Sequence, residues 1–85
     1  MKRLIPPTPQ STIAVSGGFD PIHKGHVRMI RAASAFGGVI VIANSDEWLM
    51  RKKGYVFMPF EERAEILESI KGVVAVVKAK DDDDT

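Results

Sequence analysis

Two histidines three residues apart, His23 and His26, lie in the run Gly17-Gly18-Phe19-Asp20-Pro21-Ile22-His23-Lys24-Gly25-His26. At the opening of a helix this spacing puts both imidazoles on one side. Either can donate a hydrogen bond to a phosphoryl oxygen and stabilise charge that develops during phosphoryl transfer. Gly17 and Gly18 let the backbone turn sharply and approach a ligand closely, and a helix N-terminus beside them attracts anions. The same residues admit plainer roles: a tight strand-to-helix turn, two surface histidines, or a two-ligand metal site with no third ligand evident nearby. Asp20 either holds Mg²⁺ through water or caps the helix that follows. Gly25 is costly inside a helix, so something must come close there, a ligand or the facing chain. Lys24 either reaches phosphate or is simply solvated.

A second group follows. Asn44-Ser45-Asp46-Glu47-Trp48 precedes the basic triplet Arg51-Lys52-Lys53, which either steers anionic groups or forms a solvated loop. Trp48 either stacks on a base or anchors its loop to the core. Arg63 either contacts phosphate or pairs with neighbouring glutamates, a pairing worth little if exposed. The four aspartates at 81–84 read as a solvated tail.

The elements that must position these groups follow from apolar runs and their punctuation. Residues 12–16 read as a buried strand ending at the glycine pair. Residues 23–36 read as a helix, entered after Pro21 and ended by Gly37-Gly38, with Val27, Ile30, Ala33 and Ala35 or Phe36 available to a core. The unbroken run Val39-Ile40-Val41-Ile42-Ala43 fits a strand buried on both faces, as in a parallel sheet. Residues 44–57 read as a long loop with at most one helical turn, at 46–50. A second helix is expected over 58–71, with Pro59 near its first turn and Ile66, Leu67 and Ile70 on its apolar face. A third strand is expected over 73–77. The order β-α-β-α-β, three strands and two helices, describes half of a Rossmann-like α/β fold with a parallel sheet. Ligands bind such sheets at the carboxyl ends of the strands, where 17–26, 44–55 and 78–84 converge.

Eighty-five residues allow one small domain: an extended, proline-rich arm at 1–11, the α/β domain at 12–80 and the acidic tail at 81–85. A core this modest calls for a partner chain, so a homo-oligomer is expected. There is no cysteine, which excludes disulfides and thiolate chemistry. The 12 Lys and Arg against 11 Asp and Glu give a net charge of +1. With four of those acids in the tail, the body is mildly basic, which fits a small anionic ligand better than nucleic acid. No apolar run approaches a membrane span, and Pro6, Pro7 and Pro9 interrupt any signal-like segment, so a cytoplasmic location is expected.

The run Gly17 to His26 resembles the G-x-F-D-x-x-H-x-G-H motif of the cytidylyltransferase-like nucleotidyltransferases, which share H-x-G-H with class I aminoacyl-tRNA synthetases. Six fixed positions match at the family's spacing. The stretches Asn44 to Glu47, Phe60 to Arg63 and Asp81 to Thr85 are similar to short stretches of two members, glycerol-3-phosphate cytidylyltransferase and the adenylyltransferase domain that makes ADP-heptose. The resemblance implies attack of a phosphorylated small molecule on the α-phosphorus of CTP or ATP, with Mg²⁺ assisting and pyrophosphate leaving. It implies that His23 and His26 stabilise the transition state and that Gly17, Gly18, Phe19 and Gly25 line the nucleotide pocket. Asp20 would lie beside the reacting phosphates, and Lys52 and Arg63 would contact substrate or triphosphate.

Three departures accompany it. Gly18 replaces a residue that often bears a hydroxyl or thiol, Val74 stands where relatives usually carry an acid, and Gly54 stands where the cytidylyltransferase pattern has a second loop lysine. The family's domain also continues for two more strands and helices, carrying a second phosphate motif and base contacts. Thr85 falls where the next helix would start, so the ending reads either as a cut or as that of a chain whose missing half comes from elsewhere. The chain is therefore expected to be a nucleotidyltransferase, with a phosphate-binding module of little turnover and a structural, oligomer-forming fragment as alternatives.

Overall fold

The computed structural model describes residues 11–80; the expected arm over 1–10 and the tail over 81–85 lie outside the described residues. The elements run β1 Thr12–Gly17, α1 Lys24–Ala33, β2 Gly38–Ala43, α2 Asp46–Lys53, α3 Phe60–Glu68 and β3 Val73–Lys78. The three strands form one parallel sheet in the order β1-β2-β3. Thr12 to Gly17 pair residue by residue with Gly38 to Ala43. A register shift between Val39 and Ile40 separates the Val39–Val73 pair from the Ile40–Ala75 pair. The expected parallel α/β arrangement is present.

Val39, Val41 and Ala43 of β2 are wholly buried, together with Ile30 of α1 and Leu67 of α3. Val15, Val73 and Val76 pack against the same cluster. Helices α1 and α3 therefore cover one face of the sheet. On the other face Ile40 and Ile42 stay half exposed, and Val74 and Val77 of β3 are exposed. This corrects the expectation that β2 is buried on both faces: its apolar run is unbroken, but only alternate residues meet helices.

There are three helices among the described residues, not two. The stretch read as a loop contains α2. Ser45 caps it, accepting from the Trp48 N–H at 3.1 Å. Asp46 and Glu47 open it, Arg51, Lys52 and Lys53 close it, and Gly54 ends it in the left-handed region at φ 83°. Each of these is a known helix-terminus device. Its apolar residues are consecutive rather than spaced by three and four, so only Leu49 is buried and no amphipathic period shows. The basic triplet is thus a helix end. Helix α1 stops at Ala33, capped by Ser34, which leaves Ala35 and Phe36 exposed rather than in the core. Helix α3 is shorter than expected at both ends, with Pro59 at its N-cap position.

Candidate active site

The loop between β1 and α1 carries the histidines. His23 is the N-cap of α1, and its Nδ1 accepts from the Gly25 N–H at 3.1 Å. His26, three residues on, accepts the His23 N–H at its own Nδ1, also at 3.1 Å. This is a reciprocal capping box in which two imidazoles replace the usual hydroxyl and carboxylate. With each Nδ1 acting as acceptor, the neutral rings carry their proton on Nε2. Two N–H donors are therefore left for a ligand.

The rings are stacked, with centroids 3.9 Å apart and planes 26° from parallel. Burial, then the charge on neighbouring His23, lowers the His26 pKa below its ordinary value and favours the neutral donor. Buried Phe19 and His26 are in edge-type ring contact, with centroids 4.9 Å apart and planes inclined by 63°. Gly25 is explained by the same geometry. A Cβ there would lie 2.9 Å from Cε1 of His23, so the group that comes close to Gly25 is the capping ring. No acidic residue occupies the first turn of α1, so the helix end keeps its attraction for an anion.

Asp20 does not cap α1. Its side chain is 1% exposed and holds the segment after α2. Oδ2 accepts from the Phe57 N–H at 2.8 Å and from Nζ of Lys53 at 3.1 Å, while Oδ1 accepts from the Met58 N–H. Nζ of Lys53 also donates to the Asp20 carbonyl at 2.8 Å. Burial alone would raise the Asp20 pKa, but the Phe57 and Met58 amides and Lys53 outweigh it and hold the carboxyl below its ordinary value.

Arg63 has no exposed surface. Nε donates to the Met58 carbonyl, and Nη1 donates to the carbonyls of Gly18 and Asn44, all at 2.8 Å. Nη2 meets Oδ1 of Asp46 at 2.6 Å. Asp46 also lines an open, mainly apolar hollow of about 360 Å³ with Glu47, Met50, Arg51 and Val56.

A family model described as cytidylyltransferase-like matches residues 14–85. The chain belongs to the cytidylyltransferase-like family. It is 41% identical over 70 residues to an FAD synthase of Pyrococcus horikoshii, covering 80% of this chain and 47% of that protein. It is 34% identical over 65 residues to glycerol-3-phosphate cytidylyltransferase of Bacillus subtilis, covering 75% and 50%. It is 35% identical over 77 residues to the bifunctional protein HldE of Sulfurimonas denitrificans, covering 86% and 16%. The chain spans about half the length of the first two relatives.

In this cytidylyltransferase-like chain, Gly18, Phe19, Asp20, His23, Gly25 and His26 form one cluster at the exit of β1, while Gly17 pairs with Ala43 and accepts the Asn44 N–H at 3.0 Å. Gly18 lies against Leu49: an added Cβ would be 3.2 Å from its Cδ2, so a larger residue there would press on α2. Lys52 is exposed on α2, its ammonium 5.6 Å from the Trp48 ring centroid. The lysine that reaches the motif is its neighbour Lys53, whose ammonium also lies 4.5 Å from the Tyr55 centroid. Lys53 was missed because the turn of α2, not its place in the triplet, selects which lysine faces Asp20. The Arg63 guanidinium is engaged by protein acceptors, so its expected substrate contact and its exposed glutamate pairing both give way to a buried structural bond set. Gly54 is a helix cap, which accounts for the absence of a lysine there.

Proposed function

We propose that this chain is the motif-bearing half of a nucleotidyltransferase. An oxygen of a phosphorylated small molecule attacks the α-phosphorus of CTP or ATP, the bond to the bridging oxygen breaks, and pyrophosphate leaves. The observation that carries this reading is the pair of imidazoles held by backbone N–H groups at Nδ1, with both Nε2–H groups left as donors. Neutral, preorganised donors stabilise negative charge on a transferring phosphoryl group without a covalent intermediate. Phe19 packs behind His26 and fixes it, and the N-terminus of α1 adds its dipole.

Among the described residues no cluster of three His, Cys, Asp or Glu is placed to hold a metal ion, and the Asp20 carboxylate is committed to Lys53 and two amides. The described residues do not form a Mg²⁺ cage, so we assign Mg²⁺ to the triphosphate as part of the substrate. Nucleic acid and membrane are not proposed as partners, and no helix of the described residues is long and apolar enough to cross a membrane. With soluble phosphate esters as substrates, we place the reaction in the cytoplasm.

The test is pyrophosphate release with CTP or ATP, Mg²⁺ and a panel of acceptors: glycerol 3-phosphate, a heptose phosphate and flavin mononucleotide. Release with one pair identifies base and acceptor together. Binding of nucleotide without release supports the second reading, a phosphate-binding module. A homo-oligomer accompanies both readings: Val74 and Val77 leave an apolar sheet face for a second copy to cover. A monomer by sedimentation removes that part.

A further inference from the structure

We propose that Arg63 positions His26 from behind, through the Gly18–Phe19 peptide and the Phe19 ring, without touching a substrate. The proposal goes beyond the assignment of the histidines as donors and rests on that reading for its catalytic consequence.

Three observations link the two residues. The guanidinium is fully buried, and its three nitrogens are engaged by Met58, Gly18, Asn44 and Asp46. No face of it is open to a triphosphate. Nη1 joins the carbonyls that leave β1 and β2, at 2.8 Å each. One of them, Gly18 O, belongs to the peptide immediately before Phe19.

Phe19 has φ +54°. A bulky L-residue in the left-handed region is strained and persists only where its surroundings hold it. The angle φ of Phe19 is set by the orientation of the peptide whose carbonyl Arg63 grips. That conformation sends the Phe19 ring inward, 3% exposed, into edge-type ring contact with His26. His26 in turn stacks on His23. The path from guanidinium to imidazole is a hydrogen bond, one peptide plane and one ring contact.

Charge alone cannot do this. A lysine offers three donors from a single point and cannot reach carbonyls on three segments and a carboxylate together. Met58 reinforces the point, since its carbonyl accepts from Arg63 while its N–H donates to Asp20. The motif loop is thus tied from two sides.

The experiment is NMR on the full chain carrying Arg63→Lys, with Asp46→Ala as a milder variant that removes one acceptor from a half-exposed position. Expected in Arg63→Lys is loss of the Phe19–His26 ring NOEs and movement of the His26 imidazole resonances, while the β2 and β3 amides keep their shifts. A merely structural role would disturb the sheet as well. Where turnover is measurable, kcat falls about 100-fold with little change in KM for the triphosphate. Unchanged Phe19–His26 NOEs in folded Arg63→Lys overturn the proposal, as does a rise in KM at constant kcat. Should Arg63→Lys not fold, Asp46→Ala decides: weakened NOEs support the proposal, unchanged ones overturn it. Absence of turnover in the unmodified chain would count against nucleotidyl transfer and leave the NMR outcome to judge the positioning.

Discussion

The N–H of His23 donates to Nδ1 of His26 across one helical turn, at 3.1 Å. The two histidines are therefore helix caps before they are anything else. Capping uses Nδ1 of each ring and the proposed role in chemistry uses Nε2, which makes the two separable by mutation.

His26→Gln should separate them. Glutamine is a regular partner at this position of a capping box, so the start of α1 should survive and thermal stability should change little. His26→Ala should lose about 1 kcal/mol. Both should abolish turnover, read as pyrophosphate release. Activity retained in His26→Gln would mean that Nε2–H is not the donor that matters.

Acid should weaken the same cap. Because the folded His26 pKa is lowered, the unfolded chain takes up a proton first as pH falls below about 6.5. Stability from this group is complete above that value and is lost progressively as pH falls through the lowered folded pKa. Proton NMR of His26 should give a midpoint below 6.5, with urea unfolding free energy decreasing over the same window. A midpoint above 6.5 would contradict the burial and the neighbouring charge.

Gly25→Ala should divide stability from activity. Alanine favours a helix interior by about 1 kcal/mol over glycine, but its methyl would sit 2.9 Å from the His23 ring. The ring must swing away and lose its bond to the Gly25 N–H. Expected are a shifted His23 Cε1–H resonance and a large loss of nucleotide affinity or turnover in a protein that still folds. Unperturbed His23 resonances would refute the stated reason for the glycine.

Asp20→Ala should be mainly a stability variant. It strands two amides and a lysine, for a loss of about 3 kcal/mol in urea unfolding. In the unmodified chain this contribution is present above the ordinary aspartate pKa of about 3.9 and declines as pH falls through the lowered folded value. A loss below about 0.5 kcal/mol would show that the clasp on Phe57 and Met58 is not formed in solution.

Much of this was legible in the residues themselves. The three strands, the helix that starts at the histidines and the parallel order all follow from apolar runs and glycine punctuation, because backbone sterics and side-chain period act locally; the burial expected of β1 does not, since its residues alternate between exposed and half-buried with only one face against the helices. The motif Gly17 to His26 fixed the family by type and spacing. Helix α2 was also written in the sequence, in Ser45, its terminal charges and Gly54. It was masked because a helix that buries only Leu49 shows no amphipathic period.

Partner choice was decided only by the tertiary structure. A charged side chain in sequence has a reach and a sign but no address. The choice of Lys53 over Lys52 for Asp20 depends on the rotation of α2 about its axis. The burial of Arg63 depends on three segments, distant in sequence, supplying four acceptors around one guanidinium, without which a buried charge would cost several kcal/mol. The sequence by itself determined that two imidazoles stand at a helix start. The folded chain determined which nitrogen of each faces outward, because only the closed turn brings the His23 N–H to Nδ1 of His26.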